Sequence, residues 1–166
     1  MRVHDEEMIE PMAVAGLAPY CHEKLFLPDL KARDKDAAIA EMVDHLVASG
    51  RVKAREVILN TIRERERIWP TAIGRGVAVP HGRSLVVPEL AILFARSSAG
   101  IDFGAEDHEP VRLVFLILAP YQDKENRYLP ALGKLVELVA DEATRQRLLA
   151  VTRFSEFMRI IEGAPA

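Results

Sequence analysis

Gly74-Arg75-Gly76-Val77-Ala78-Val79-Pro80-His81-Gly82-Arg83 decides how this chain is read. Val77 to Val79 form a short apolar run, rich in β-branched residues, that reads as a buried strand. Pro80 fixes its own φ and biases Val79 toward extended geometry, so the entry to His81 is stiff. Gly82 has no Cβ, which lets a bulky group come close to the backbone. An imidazole held at a strand end, with room beside it and Arg83 nearby, suits a nucleophile that must meet an incoming group. The same residues also read as a polar turn, and spacing alone leaves both readings open, because loops on rigid scaffolds often carry function. Gly74-x-Gly76 is followed by a strand rather than a helix, so it reads as a tight turn and not as a dinucleotide fingerprint.

Outward from this stretch, helices alternate with short strands. Leu25-Phe26-Leu27 reads as a strand ahead of Pro28. Asp34 is a candidate N-cap for a helix whose apolar positions Ala38, Ile39, Met42, Val43, Leu46 and Val47 recur until Gly50. A second helix is expected from Ala54 to about Arg67, with Val57, Ile58 and Ile62 on its buried face. Strands are expected at Val77–Val79 and Leu90–Ala95. Val111-Arg112-Leu113-Val114-Phe115-Leu116-Ile117-Leu118 is nearly all apolar, as a central strand covered on both faces would be. After Pro120 a helix carries Leu129, Leu132, Leu135, Val136 and Val139 as one stripe, and short helices follow around 142–151 and 154–162. The pattern predicts one α/β sandwich domain over residues 1–166, with an irregular acidic lead over 1–16.

Composition excludes several classes. The 166 residues are 49% hydrophobic and 28% charged, an ordinary globular balance. A net charge of −3 argues against nucleic acid as the main partner, since a phosphate backbone calls for a positive surface. No apolar run approaches the ~18 residues of a membrane span, so no membrane insertion is expected. The start of the chain has no signal-peptide pattern, and the single Cys21 cannot close an internal disulfide, so a cytoplasmic setting is expected.

Other candidates read blandly on their own. Arg63-Glu64-Arg65-Glu66-Arg67 is a charge run at a helix end, a pattern that usually makes a solvated face. Asp107-His108-Glu109 reads as a solvated loop rather than a metal site, because three adjacent residues in a turn rarely point at one ion. His4, His22 and His45 have no ligand-like partner at telling spacing, and Cys21 reads as a small buried hydrophobe.

One set of segments is more specific. Arg65-Glu66 precedes Thr71-Ala72-Ile73-Gly74-Arg75-Gly76-Val77-Ala78-Val79-Pro80-His81-Gly82-Arg83, and Ile101-Asp102-Phe103, Asp107 and Pro110-Val111 lead into the apolar strand and Ala119-Pro120. With these, the chain resembles the fructose/mannitol class of enzyme IIA domains of the bacterial phosphoenolpyruvate-dependent phosphotransferase system, including their nitrogen-regulatory relatives, from about Leu25 to Ile161. That family shows an Arg-Glu pair, then Ser-Thr-Gly-Ile-Gly, then Gly-Ile-Ala-Ile-Pro-His. The resemblance implies a central mixed β-sheet flanked by helices.

It also implies a phosphocarrier, in which the histidine after the proline, His81 here, accepts a phosphoryl group from a phosphorylated HPr-like protein. Transport members pass the group to an enzyme IIB domain; regulatory use would instead switch contacts with a kinase or transporter. Arg65 corresponds to the family's phosphate-contacting arginine, with a guanidinium suited to bidentate contact. Thr71 can offer a hydroxyl, and N–H groups of Gly82 and Arg83 can add donors if the chain there forms a concave turn. No metal or other cofactor is implied. Tyr128, in Tyr128-Leu129-Pro130-Ala131-Leu132, stands where transport members carry a second histidine; a phenol donates a hydrogen bond but brings no positive charge. Pro70 and Ala72 replace the serine and glycine of Ser-Thr-Gly and stiffen the loop, and Trp69 sets a large aromatic close by. A module that keeps this fold for binding alone, without efficient transfer, is the competing reading, and the chain's length without a fused IIB leans toward regulation.

Overall fold

Two cores, one on each face of a single sheet, define the architecture. The computed structural model describes residues 16–163, so His4 and all but Gly16 of the expected lead lie outside the described residues. The chain enters through short 3-10 turns at Ala18–Tyr20 and Glu23–Leu25, then β1 at Phe26–Leu27. Helices α1 (Lys35–Ala48) and α2 (Arg55–Ile68) follow. Strands β2 (Ala72–Gly74), β3 (Val77–Ala78), β4 (His81–Ser84), β5 (Ala91–Ile101) and β6 (Val111–Pro120) complete the sheet. Helices α3 (Tyr128–Ala140), α4 (Glu142–Ala150) and α5 (Phe154–Ile161) close the described chain.

The order across the sheet is β1-β5-β6-β3-β2, with β4 also pairing β6. Pairing is mixed: β5 and β6 are antiparallel, whereas β3 and β4 both run parallel to β6. The expected α/β sandwich with a mixed sheet is therefore the fold. β6 explains its own composition, because Val111, Val114, Leu116 and Leu118 enter one core and Leu113, Phe115, Ile117 and Ala119 the other. Helices α1 and α2 cover the first face; α3, α4 and α5 cover the second, where the rings of Phe94 and Phe157 lie 4.6 Å apart. None of the helices among the described residues is long and apolar enough to cross a membrane.

Local chemistry sets the helix ends. Asp34 caps α1, its carboxylate accepting from the Ala37 N–H at 2.8 Å. Beyond Ala48, the Ser49 and Gly50 N–H groups return to His45 and Val47, with Gly50 at φ 80°. Buried Arg145 donates to the Val139 and Ala140 carbonyls and so closes the C-terminus of α3. Arg96 of β5 donates to the carbonyls of Pro28, Leu149 and Val151, tying the sheet to the segment after β1 and to the end of α4.

The structure corrects several sequence expectations. Val57 is 47% exposed; the buried face of α2 is Ile58, Leu59, Ile62 and Glu66, one step round the helix. On α3, Leu129 is 66% exposed and Val136 is also exposed, and the inward line is Tyr128, Ala131, Leu135 and Val139. β5 extends to Ile101 rather than stopping near Ala95. Two strands had no periodic signal: β2, and β4, which begins at His81 itself. The turn reading of Gly74-x-Gly76 holds, since Arg75 (φ 57°) and Gly76 (φ 80°) link β2 to β3 with both φ positive, as a type I′ hairpin turn needs.

The charge run at the end of α2 is not uniformly solvated. Glu66 is 5% exposed and accepts from the Thr71 N–H (2.9 Å), the Thr71 hydroxyl (2.5 Å) and Lys35 Nζ (2.9 Å). Lys35 in turn lies over the Phe103 ring. This carboxylate joins α1, α2 and the loop into β2. Glu66→Ala, which strands two buried donors and an ammonium, should lower stability by about 2–3 kcal/mol. Urea unfolding should show this as a lower midpoint with an unchanged slope.

Candidate functional site

The site is built where β3 gives way to β4. Both strands lie along β6, but the chain leaves the ladder between them. The Val79 N–H donates to the Thr71 carbonyl, and Pro80, which has no N–H, offers its carbonyl to the Ile117 N–H at 3.0 Å. Pairing then resumes with His81 opposite Ile117, Gly82 opposite Leu118 and Arg83 opposite Ala119. Side chains alternate across a strand, so His81 and Arg83 share the face of Ile117 and Ala119, beneath α3. Gly82 turns the other way, toward α2.

That alternation assembles the groups. The His81 ring lies 6.0 Å, centroid to centroid, from that of Tyr128 at the start of α3. Arg83 places its guanidinium carbon 5.6 Å from the centre of the same Tyr128 ring. The first turn of α3 is held by Asp123, which accepts from the Tyr128 N–H at 2.8 Å. Asp123 is itself kept acidic, first by the backbone N–H groups of Arg127 and Tyr128 and further by Arg83.

Arg65 comes from the last turn of α2. A Cβ at position 82 would lie 3.2 Å from both Ile62 Cδ1 and Thr61 Cγ2, so the glycine admits the helix rather than a ligand. Arg65 follows three and four residues after those contacts, on the same side of α2. It is half-buried, its Nη1 donates to the Trp69 carbonyl at 3.0 Å, and its charge acts on both His81 and Tyr128.

His81 is half-buried, and its Nδ1 lies 2.8 Å from the Val79 carbonyl oxygen. A carbonyl only accepts, so Nδ1 carries the proton and Nε2 keeps its lone pair. Burial lowers the His81 pKa below the ordinary histidine value, Arg65 lowers it further, and the Val79 carbonyl and Glu66 pull it back in part. The ring is neutral at neutral pH. Burial raises the Tyr128 phenol, against the opposing pull of Arg83 and Arg65, so it stays protonated and able to donate. A neutral imidazole with its Nε2 lone pair free, beside a phenol that carries Arg83 over its ring and within the field of Arg65, can hold a small transferable anion.

Two of the sequence-predicted residues stand differently. Thr71 is buried and gives its only hydroxyl proton to Glu66, so it supports the loop instead of presenting a free donor. Gly82 and Arg83 lie in an extended strand, not in a concave turn. Sequence reasoning passed over Glu66 and Lys35, although Glu66 beside Arg65 with a threonine five residues on was the available signal. Asp107 accepts from the N–H groups of Arg75 and Glu109, as a loop organiser does. Cys21 is half-buried, and desolvation pushes its thiol up to about 12. Among the described residues no group of three His, Cys, Asp or Glu side chains is placed to hold a metal ion.

Comparison with known proteins follows the same lines. The family model described as "Phosphoenolpyruvate-dependent sugar phosphotransferase system, EIIA 2" matches residues 19–164. A fructose-specific EIIA component of that system from Haloferax volcanii is 37% identical over 115 residues, covering 69% of this chain and 74% of the relative. A nitrogen regulatory protein from Bradyrhizobium diazoefficiens is 35% identical over 140 residues, covering 84% of this chain and 90% of its own. The solved complex of enzyme IIAMTL with phosphorylated enzyme IIBMTL from Escherichia coli matches with a TM-score of 0.72 and 27% identity, over 86% of this chain and 96% of the matched one.

Nitrogen-15 NMR should find the His81 ring as the Nδ1–H tautomer with a titration midpoint below the ordinary ~6.5. Arg65→Ala should raise that midpoint. Because the folded value is depressed, the unfolded chain binds more protons between the two values, and stability should rise with pH across that window.

Proposed function

This chain belongs to the EIIA 2 family of the phosphoenolpyruvate-dependent sugar phosphotransferase system, and on that premise we propose that His81 is the residue that carries its phosphoryl group. The observation that supports this most directly is the Nδ1 bond to the Val79 carbonyl, which leaves Nε2 as the free, neutral nucleophile.

The donor is the phosphohistidine of an HPr-like protein. Nε2 of His81 attacks phosphorus opposite the donor nitrogen, a new N–P bond forms as the donor's N–P bond breaks, and the released electron pair leaves with the donor imidazole. Nδ1 keeps its proton throughout. The positive charge that the ring then acquires is stabilised by the Val79 carbonyl on one side and the phosphoryl group on the other. Such a transfer depends on alignment and charge stabilisation more than on acid–base work. Arg65 and Arg83 donate to the phosphoryl oxygens and Tyr128 adds a neutral donor, while Gly82 and Thr71 act through the positions of α2 and the β2 loop.

The reading favoured here is a cytoplasmic phosphocarrier of mainly regulatory use, whose phosphorylation alters contacts with a kinase or transporter. The nitrogen regulatory relative is matched over 90% of its length, and Tyr128 stands in place of the second imidazole of transport members. Relay to an enzyme IIB is the second reading, supported by the mannitol relative solved with its phosphorylated IIB.

Incubation with phosphoenolpyruvate, enzyme I and an HPr-type carrier should add one acid-labile phosphoryl group by intact mass. His81→Ala should abolish the gain, and Arg65→Ala should slow it by roughly ten-fold to a hundred-fold, the loss of one or two charge-assisted contacts. Label retained on His81→Ala would refute the assignment, and an unlabelled wild type would mark a binding module without transfer. If the missing imidazole limits the rate, Tyr128→His should accelerate labelling.

A further inference from the structure

Arg65 and Glu66 are neighbours, and both hold the short segment that links α2 to β2. Glu66 is buried and binds the Thr71 N–H and hydroxyl, so its grip is fixed. Arg65 is half-buried and donates from Nη1 to the carbonyl of Trp69 at 3.0 Å. Trp69 caps α2 in extended geometry, its own N–H returning to the Arg65 carbonyl at 3.3 Å. Its side chain is 68% exposed, and Pro70 behind it is exposed too. One side chain thus connects the neighbourhood of His81 to an exposed turn.

Resting on the phosphocarrier reading, we propose that Arg65 is a phosphorylation-dependent tether: it holds the Trp69 carbonyl while His81 is free, and releases it for the phosphoryl oxygens once His81 is modified. The Trp69 carbonyl is a neutral acceptor with one site to offer. A phosphoryl group carries between one and two negative charges and several acceptor oxygens, and a guanidinium engages it through two parallel bonds. The half-buried setting strengthens the attraction between opposite charges. In this switch the guanidinium turns to meet the phosphoryl group end-on and carries Nη1 away from the Trp69 carbonyl, so capture on one side is release on the other. Glu66 keeps Thr71 in place, and the movement is confined to Trp69 and Pro70. Those two residues, with Ala72, Ile73, Arg75 and Asp107, border a groove of about 620 Å³ beside β2. The phosphorylation state is thereby written onto a surface outside the site.

Trp69 is the only tryptophan, so its emission reports on this turn alone. The wild type is treated with phosphoramidate, which phosphorylates histidine without partner proteins and loses ammonia as its N–P bond breaks. Intact mass, with His81→Ala as the control, establishes that His81 is labelled. On labelling, the anisotropy of Trp69 should fall and its quenching by acrylamide should rise. Unlabelled Arg65→Ala should already show both changes, and labelling it should add nothing. A labelled wild type with unchanged anisotropy and quenching would overturn the tether while leaving the carrier reading intact. So would an unlabelled Arg65→Ala that matches unlabelled wild type, or a labelled Arg65→Ala that responds as wild type does. A wild type that takes up no phosphoryl group on His81 under either donor would remove the carrier reading and the tether together.

Discussion

The absent Cβ at Gly82 governs how near α2 comes to β4. With Ile62 Cδ1 and Thr61 Cγ2 already 3.2 Å from where that atom would be, a side chain there would oblige those two groups to give way by a few tenths of an ångström. Arg65 sits one turn beyond these contacts, on the side of α2 that faces β4, and its charge reaches His81. A few tenths of an ångström matter, since close-packed interiors transmit such shifts rather than absorb them. The packing of α2 on β4 and the charge felt by His81 thus meet in the same turn of the helix.

Pro80 does the complementary work on the other face. A strand that ran unbroken from β3 through β4 would spend its groups on the ladder with β6. The break turns the Val79 carbonyl toward its own neighbour, where it accepts from His81 Nδ1. The backbone thus selects the tautomer, and the register with β6 places His81 and Arg83 on the side of Tyr128. A buried glutamate secures the loop that precedes all this, and Lys35 offsets its charge. Buried polar groups of this kind are stable only when each has its partners, and Glu66 has three.

Much of this was legible in the chain. The limits of α1 follow from Asp34 and Gly50, and β6 announces itself by an apolar run too continuous for an exposed strand. His81 and Arg65 came from a motif, and the structure brings them together. The failures have physical causes. β2 and β4 are three and four residues long, too short to show a period, and they exist because β3 and β6 supply partners that no local pattern encodes. Val57 and Leu129 are apolar yet exposed, so residue type alone set the predicted stripes slightly off the true ones. Tyr128 is the reverse case, a polar-tipped residue on the inward line of α3. Thr71 and Glu66 read as a hydroxyl for the phosphate and a solvated charge; only their mutual approach makes each a buried partner of the other.

The phenol at 128 also changes how the site answers acidity. Where two imidazoles share a pocket, each feels the other's proton, and titration spreads over two linked steps. Here burial raises the tyrosine further from neutrality while the lone imidazole is pushed below its usual range. His81 Nε2 accordingly loses its lone pair on the acid side of neutrality, with no second imidazole at position 128 to share the step. With one imidazole in place of two, the pocket gains its first proton only below the ordinary histidine range, so around neutral pH its charge is set by the arginines and not by a titrating ring.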